Sequence, residues 1–296
     1  MTTIQHALAP EDLAPAAKLR ELAAPGKGKL SLASRATFDD MFSRRQPAPG
    51  VTFEEARVGG IPGWWCRPPA PIPRAAILFL HGGWFALGSA QAFRHAVSHY
   101  AARVGAAAFI ADYRLAPEHP FPAGFDDACA AYAGLAAGGA TAIALVGESA
   151  GGALSLAVLA HAVAAGGVRP RCAAVVSPVT DLTMTGDSMV SRADADPIFT
   201  KASGEALVRL YLGDHDARDP RASPLYGALT GLPPVRIDVG DDELLLSDAL
   251  RYGDASANAE VHVWDGMPHV FTSQLGVLQA ADRALTELTA FVRKHL

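Results

Sequence analysis

The sequence predicts an α/β fold, a mostly parallel sheet with helices on both faces, and three observations predict it. Short aliphatic runs alternate with Ala-rich or amphipathic stretches from residue 75 to the C-terminus, the order that yields parallel strands joined by crossover helices. An alternating pair, Val51–Val58 and Ile61–Arg67 around Gly59-Gly60, precedes them and reads as a hairpin. The third is the stretch Thr141 to Gly152, a buried-strand composition that breaks at Gly147 and restarts as helix at Ser149.

In chain order, residues 1–48 mix Ala-rich helical pieces with breakers at Pro10, Pro15, Pro25-Gly26 and Pro47. Phe38 and Phe42 form an i, i+4 pair there. After the hairpin, Ala75–Leu80 is a buried strand ending at His81-Gly82-Gly83. A helix near 90–104 leads to a strand at 106–111, and a helix near 122–136 leads to the Thr141 strand. The helix after Ser149 is followed by strands at 172–177 and 234–239, a helix near 243–255, a strand at 260–264 and an amphipathic helix over 275–295. Residues 180–225 interrupt this rhythm. They far exceed the two to six residues of an ordinary α/β loop and hold a helix near 203–212. An insertion after a strand's C-terminal end sits where open sheets bind ligands, so 180–225 is expected to form a cap joined by the helices of 1–48. Segments 49–179 and 226–296 then form the catalytic domain.

Composition narrows the function classes. Half of the 296 residues are apolar and 19% are charged, enough for a large core, and the net charge of −5 gives no electrostatic basis for binding nucleic acid. Cys66, Cys129 and Cys172 lack paired spacing and read as buried thiols. No basic segment leads into an apolar one near Met1, and the uncharged run Ala150–Gly167 is too rich in Ala and Gly for a membrane span. A cytoplasmic protein is expected.

Gly147-Glu148-Ser149-Ala150-Gly151 is a G-x-S-x-G on a strand-to-helix turn, the setting of a nucleophile elbow. Such a turn holds its serine in a strained conformation at a helix N-terminus, where developing negative charge is favoured. A serine needs a base and the base a third group. His269, in a turn after the strand at 260–264, has the required late position; Asp241 and Asp242, just past Val239-Gly240, are the acids that follow the preceding strand. Backbone N–H groups of Gly83, Trp84 and Ala150 are expected to stabilise an oxyanion. His95 and His99 share a helix face but lack a third ligand; no metal and no cofactor are assigned.

These motifs, with Leu87-Gly88-Ser89, Asp112-Tyr113-Arg114-Leu115-Ala116-Pro117-Glu118, Ser177-Pro178, Ser223-Pro224-Leu225, Gly240-Asp241-Asp242-Glu243-Leu244-Leu245 and Gly266-Met267-Pro268-His269, resemble the hormone-sensitive-lipase-like esterases of the α/β-hydrolase superfamily over residues 50–296. The resemblance implies an eight-stranded sheet, a helical cap, hydrolysis of esters without a cofactor, and a monomer or homodimer. Its G-x-D-E-x-L pattern makes the aspartate before the glutamate the triad acid, selecting Asp242. Two departures stand out. Trp84 replaces the usual third glycine, although a residue with a Cβ resists positive φ, and Glu148 stands where Asp or Thr is commoner.

The reading is a serine carboxylesterase for small, short-chain esters. Trp84, Phe85, Phe38, Phe42, Phe199, Tyr211, Val270 and Phe271 are the apolar residues expected to line its pocket. A lactonase or a hydrolase of one metabolite or xenobiotic ester would use the same triad. A non-catalytic, receptor-like homologue is the alternative of another class.

Overall fold

The computed structural model describes residues 2–296. Its elements are β1 (Thr2–His6), α1 (Leu13–Ala23), α2 (Arg35–Ser43), β2 (Thr52–Val58), β3 (Ile61–Arg67), β4 (Ala75–Leu80), α3 (Ala90–Val104), β5 (Ala107–Ala111), α4 (Ala123–Ala137), β6 (Ala142–Glu148), α5 (Ala150–Ala165), β7 (Cys172–Val176), α6 (Ser188–Ser191), α7 (Lys201–Leu212), β8 (Val235–Gly240), α8 (Leu246–Ala255), β9 (Ala259–Trp264) and α9 (Gln279–His295). They build a nine-stranded sheet in the order β1-β9-β8-β7-β6-β4-β5-β3-β2. The β2–β3 and β3–β5 pairs are antiparallel and the rest parallel.

The period of two in the strands divides the core. Leu78, Leu80, Ile143 and Leu145 face α4, α5 and α8. Ile77, Phe79, Ala144 and Val146 face α3 and α9. β4 lies between β5 and β6, so the strand order reverses there, and the ends of β4 and β6 open onto the crevice where such sheets place their chemistry.

The sheet has nine strands rather than the expected eight, and the extra one comes from the segment expected to supply cap helices. Thr2–His6 pairs in parallel with Glu260–Trp264, and His6 stacks flat on Trp264 with 3.8 Å between ring centroids. Five residues are too few to show a period, and their pairing partner lies at the far end of the chain, so local sequence carries no sign of it. Among the described residues no helix is long and apolar enough to cross a membrane, and all three cysteines are free.

Candidate active site

The turn between β6 and α5 holds Ser149 at φ 54°, ψ −122°, a conformation that costs a non-glycine residue roughly 1–3 kcal/mol. Hydrogen bonds offset the cost: Ser149 N–H donates to Val176 O at 2.9 Å, and Ser149 O accepts from Ala153 N–H at 3.1 Å. The flanking glycines are required by proximity. A Cβ on Gly147 would stand 2.3 Å from Gly151 O, and one on Gly151 would stand 1.9 Å from Leu80 O.

Ser149 Oγ lies 3.0 Å from His269 Nε2, and His269 Nδ1 lies 2.5 Å from Glu243 Oε2. All three residues are buried. The other carboxylate oxygen of Glu243 accepts from Ser177 Oγ at 2.8 Å and Gly240 N–H at 2.9 Å. Ser177 Oγ also accepts from Val270 N–H at 3.0 Å. One hydroxyl therefore ties the acid to the loop that carries the histidine.

The expectation of Asp242 as the acid partner is corrected here. Its carboxylate pairs with the Arg20 guanidinium of α1 and lies partly exposed. Asp241 accepts from Gly266 N–H at 2.6 Å. The chain leaves β8 in a tight turn, and three successive carboxylates point three ways; only Glu243 turns inward to His269. Sequence reading started a helix at Glu243, but α8 begins at Leu246, so Glu243 belongs to the turn. Local sequence marks Ser177 only as part of a motif and gives no sign of Asp196. Buried in the 180–225 insertion, it accepts from Leu244 N–H at 2.9 Å and from the N–H groups of Ile198 and Phe199.

Electrostatics tune the imidazole. Burial alone would lower the His269 pKa, but the Glu243 carboxylate, through its charge and its hydrogen bond, outweighs that, helped by Asp196 and Glu148; the net direction is upward from 6.5. A general base works only when neutral. The acid limb of kcat/KM for an ester is therefore expected above pH 6.5, measured from pH 5 to 9; a limb below 6.5 would contradict the coupling to Glu243. Burial pushes the Glu148 carboxyl up to about 7. It borders a small cavity, about 30 Å³, with Arg45, Tyr100 and Thr272.

The loop after β4 crosses directly above the serine: a Cβ on Gly82 would lie 3.2 Å from Ser149 Cβ. Trp84 does adopt positive φ, 53°, and Phe85 follows at 59°. The buried Trp84 indole meets Phe199 edge-on at 5.5 Å, and Phe199 meets the His269 ring edge-on at 5.0 Å. Aromatic packing across the insertion thus holds the strained loop. Among the described residues, no backbone acceptor takes the Gly83 or Trp84 N–H, and Ala150 N–H opens α5.

The remaining expected pocket residues divide. Phe85 stacks on Tyr211 at 3.9 Å, joining the loop to α7. Val270 is buried at φ 51° beside Ser177. Phe38 and Phe42 instead pack on Phe93 of α3, and Phe271 is fully buried against Trp264. Phe42 and Phe271 are buried core packing and Phe38 is half-buried against the same rings. Arg114, part of the Asp112–Glu118 motif, is held by Asp127. Arg35 bonds Glu118, Ala86 O and Ala116 O, bracing the loop that carries Trp84.

The N-terminal segment and the insertion meet each other at the rim. Arg20 reaches Ala195 O and Gly266 O, Lys27 Nζ reaches Ala193 O, and Gly28 N–H donates to Ile198 O.

Known proteins share this fold. The model of a family described as alpha/beta hydrolase fold matches residues 77–273. An acetyl-hydrolase of Streptomyces hygroscopicus is 38% identical over 80% of this chain and 81% of its own. An esterase of Acinetobacter venetianus is 30% identical over 88% of each. Among solved structures, an esterase from the bacterial hormone-sensitive lipase family superposes with a TM-score of 0.88 at 35% identity, over 98% of this chain and 99% of that one. An esterase/lipase from an uncultured bacterium gives 0.89 at 35% identity, over 97% and 99%. With its sheet, its elbow and these likenesses together, the chain belongs to the α/β-hydrolase fold family and, within it, to the hormone-sensitive-lipase-like esterases.

Proposed function

We propose that this carboxylic ester hydrolase works through Ser149, His269 and Glu243. The observation that carries the proposal is the continuous hydrogen-bond chain from Ser149 Oγ through the imidazole to a buried carboxylate. Ser149 attacks the ester carbonyl as His269 Nε2 takes its proton, and Glu243 stabilises the imidazolium. The N–H groups of Gly83, Trp84 and Ala150 receive the oxyanion. Protonated His269 then gives its proton to the leaving alkoxide, forming an acyl-enzyme. Water, deprotonated by the same nitrogen, releases the acid.

The substrates are small esters of short acids, and we assign them to the space left beside Trp84 and Phe199. The helices of the N-terminal segment and the 180–225 insertion form the cap over that space, while Thr2–His6 belongs to the sheet. A cytoplasmic setting, compatible with three free thiols, is part of the same reading.

A series of p-nitrophenyl esters from acetate to laurate tests this. kcat/KM is expected to peak at acetate or butyrate, and equal or faster cleavage of laurate would overturn the short-chain assignment. Trp84→Gly removes the indole and relaxes the strained φ. It is expected to move the optimum to longer chains, raising the octanoate-to-acetate ratio about tenfold, as a few methylenes placed in an apolar pocket allow. An unchanged ratio would show that the indole does not bound the acyl site.

A further inference from the structure

We propose a second site, for a divalent cation of the zinc type, held by His6, His262 and Glu287. The three residues come from β1, β9 and α9. One donor atom from each, the two imidazole nitrogens and a carboxylate oxygen, lie within 4.8 Å of one another. His6 Nε2 and His262 Nδ1 are 2.9 Å apart, and Glu287 Oε2 is 4.0 Å from His262 Nδ1. In a tetrahedral zinc site, with bonds of about 2.0–2.2 Å, ligand atoms stand roughly 3.2–3.6 Å apart. The imidazoles need to part by a few tenths of an ångström and the carboxylate oxygen, within 4.8 Å of both nitrogens, to close by up to roughly 1.6 Å.

Three features of the surroundings favour a cation. The far nitrogen of His262 has Glu260 Oε1 at 3.4 Å, the carboxylate–histidine arrangement that orients a metal-binding imidazole. Buried, that nitrogen has no hydrogen bond of good geometry among the described residues. The His6 ring is fixed by its parallel stack on Trp264, while Arg236, itself paired with Asp238, donates at 3.1 Å to the same Glu287 Oε2, fixing its position and leaving the oxygen's second lone pair for the ion. Two imidazoles and one carboxylate suit zinc better than calcium or magnesium. The half-exposed His6 and Glu287 leave the fourth position to water. The bound ion would staple the edge strand β1 to β9 and α9, a structural role apart from ester hydrolysis.

The test titrates chelator-treated, full-length protein with Zn²⁺ against a chromophoric chelator, and with Co²⁺ by visible absorption. The wild type is expected to take up one Zn²⁺ per chain and to give the intense visible bands of tetrahedral Co²⁺. His6→Ala, on the sheet edge, is expected to weaken Zn²⁺ at least about 30-fold and abolish those bands, and Glu287→Gln to weaken it about tenfold. Both variants should keep wild-type ester hydrolysis, which shows that they are folded. His99→Ala is the control, because His95 and His99 share a helix face. No uptake by the wild type at 100-fold lower Zn²⁺ than millimolar, about 10 µM, overturns the proposal. So does equal binding by His6→Ala, or loss of binding in His99→Ala instead.

Discussion

Ser149→Ala is expected to lower kcat for p-nitrophenyl acetate by about 10⁴–10⁶-fold, with the remainder supplied by the oxyanion donors and by binding alone. Among the described residues no neighbouring hydroxyl is placed to substitute. Ser177 Oγ is engaged with Glu243 and Val270, and Ser155 Oγ donates to Gly151 O inside the helix. The fold should survive, because Ser149 contributes its strained backbone to the turn and alanine removes only the hydroxyl. A phosphonate that labels active serines should add to Ser149 in the wild type and to no residue in the variant, as read by mass spectrometry. An alanine variant within tenfold of wild type would remove Ser149 as nucleophile. A wild type that neither turns over esters nor takes the label would favour the receptor-like alternative.

The second large effect separates two adjacent acids. Glu243→Gln should cost about 10⁴-fold in kcat, because an amide that replaces the carboxylate cannot stabilise the imidazolium and can impose the wrong histidine tautomer. It also removes the charge that raises the His269 pKa, so the acid limb of the residual activity should move to lower pH. That movement distinguishes lost electrostatics from a merely damaged fold. Asp242→Asn should stay within about fivefold of wild type. Its carboxylate is bound to Arg20 near the surface, where ion pairs contribute about 1 kcal/mol or less. Assays of both variants over pH 5–9 decide the matter, and the reverse ranking would restore Asp242 as the acid.

The same pair of residues shows where sequence reasoning stops. Within a strand or helix, a fixed period tells which side chains share a face, and the expected elements fall within a few residues of the observed ones from β2 to α9. In the turn after β8 there is no period. Whether residue 241, 242 or 243 faces the histidine depends on turn geometry and on what meets it from elsewhere: Gly266 N–H takes Asp241, Arg20 takes Asp242, and Ser177 with His269 takes Glu243. The family pattern chose one register, and the packing chose the next.

Aromatic residues repeat the lesson. Phe38 and Phe42 have the spacing of a helix face, which is all that spacing conveys; the face they meet is Phe93. Trp84 and Phe199 lie 115 positions apart, and only the folded chain sets them in contact beside His269.

By itself, the sequence determined the α/β alternation, the elbow at Ser149 and the late histidine, because each is written in residues close along the chain. Tertiary structure alone decided that Glu243 stands behind His269, that Thr2–His6 completes the sheet, and that His6, His262 and Glu287 converge. Those outcomes depend on directions of side chains in turns and on contacts between residues up to 281 positions apart, His6 and Glu287. Local periodicity and composition carry no record of either.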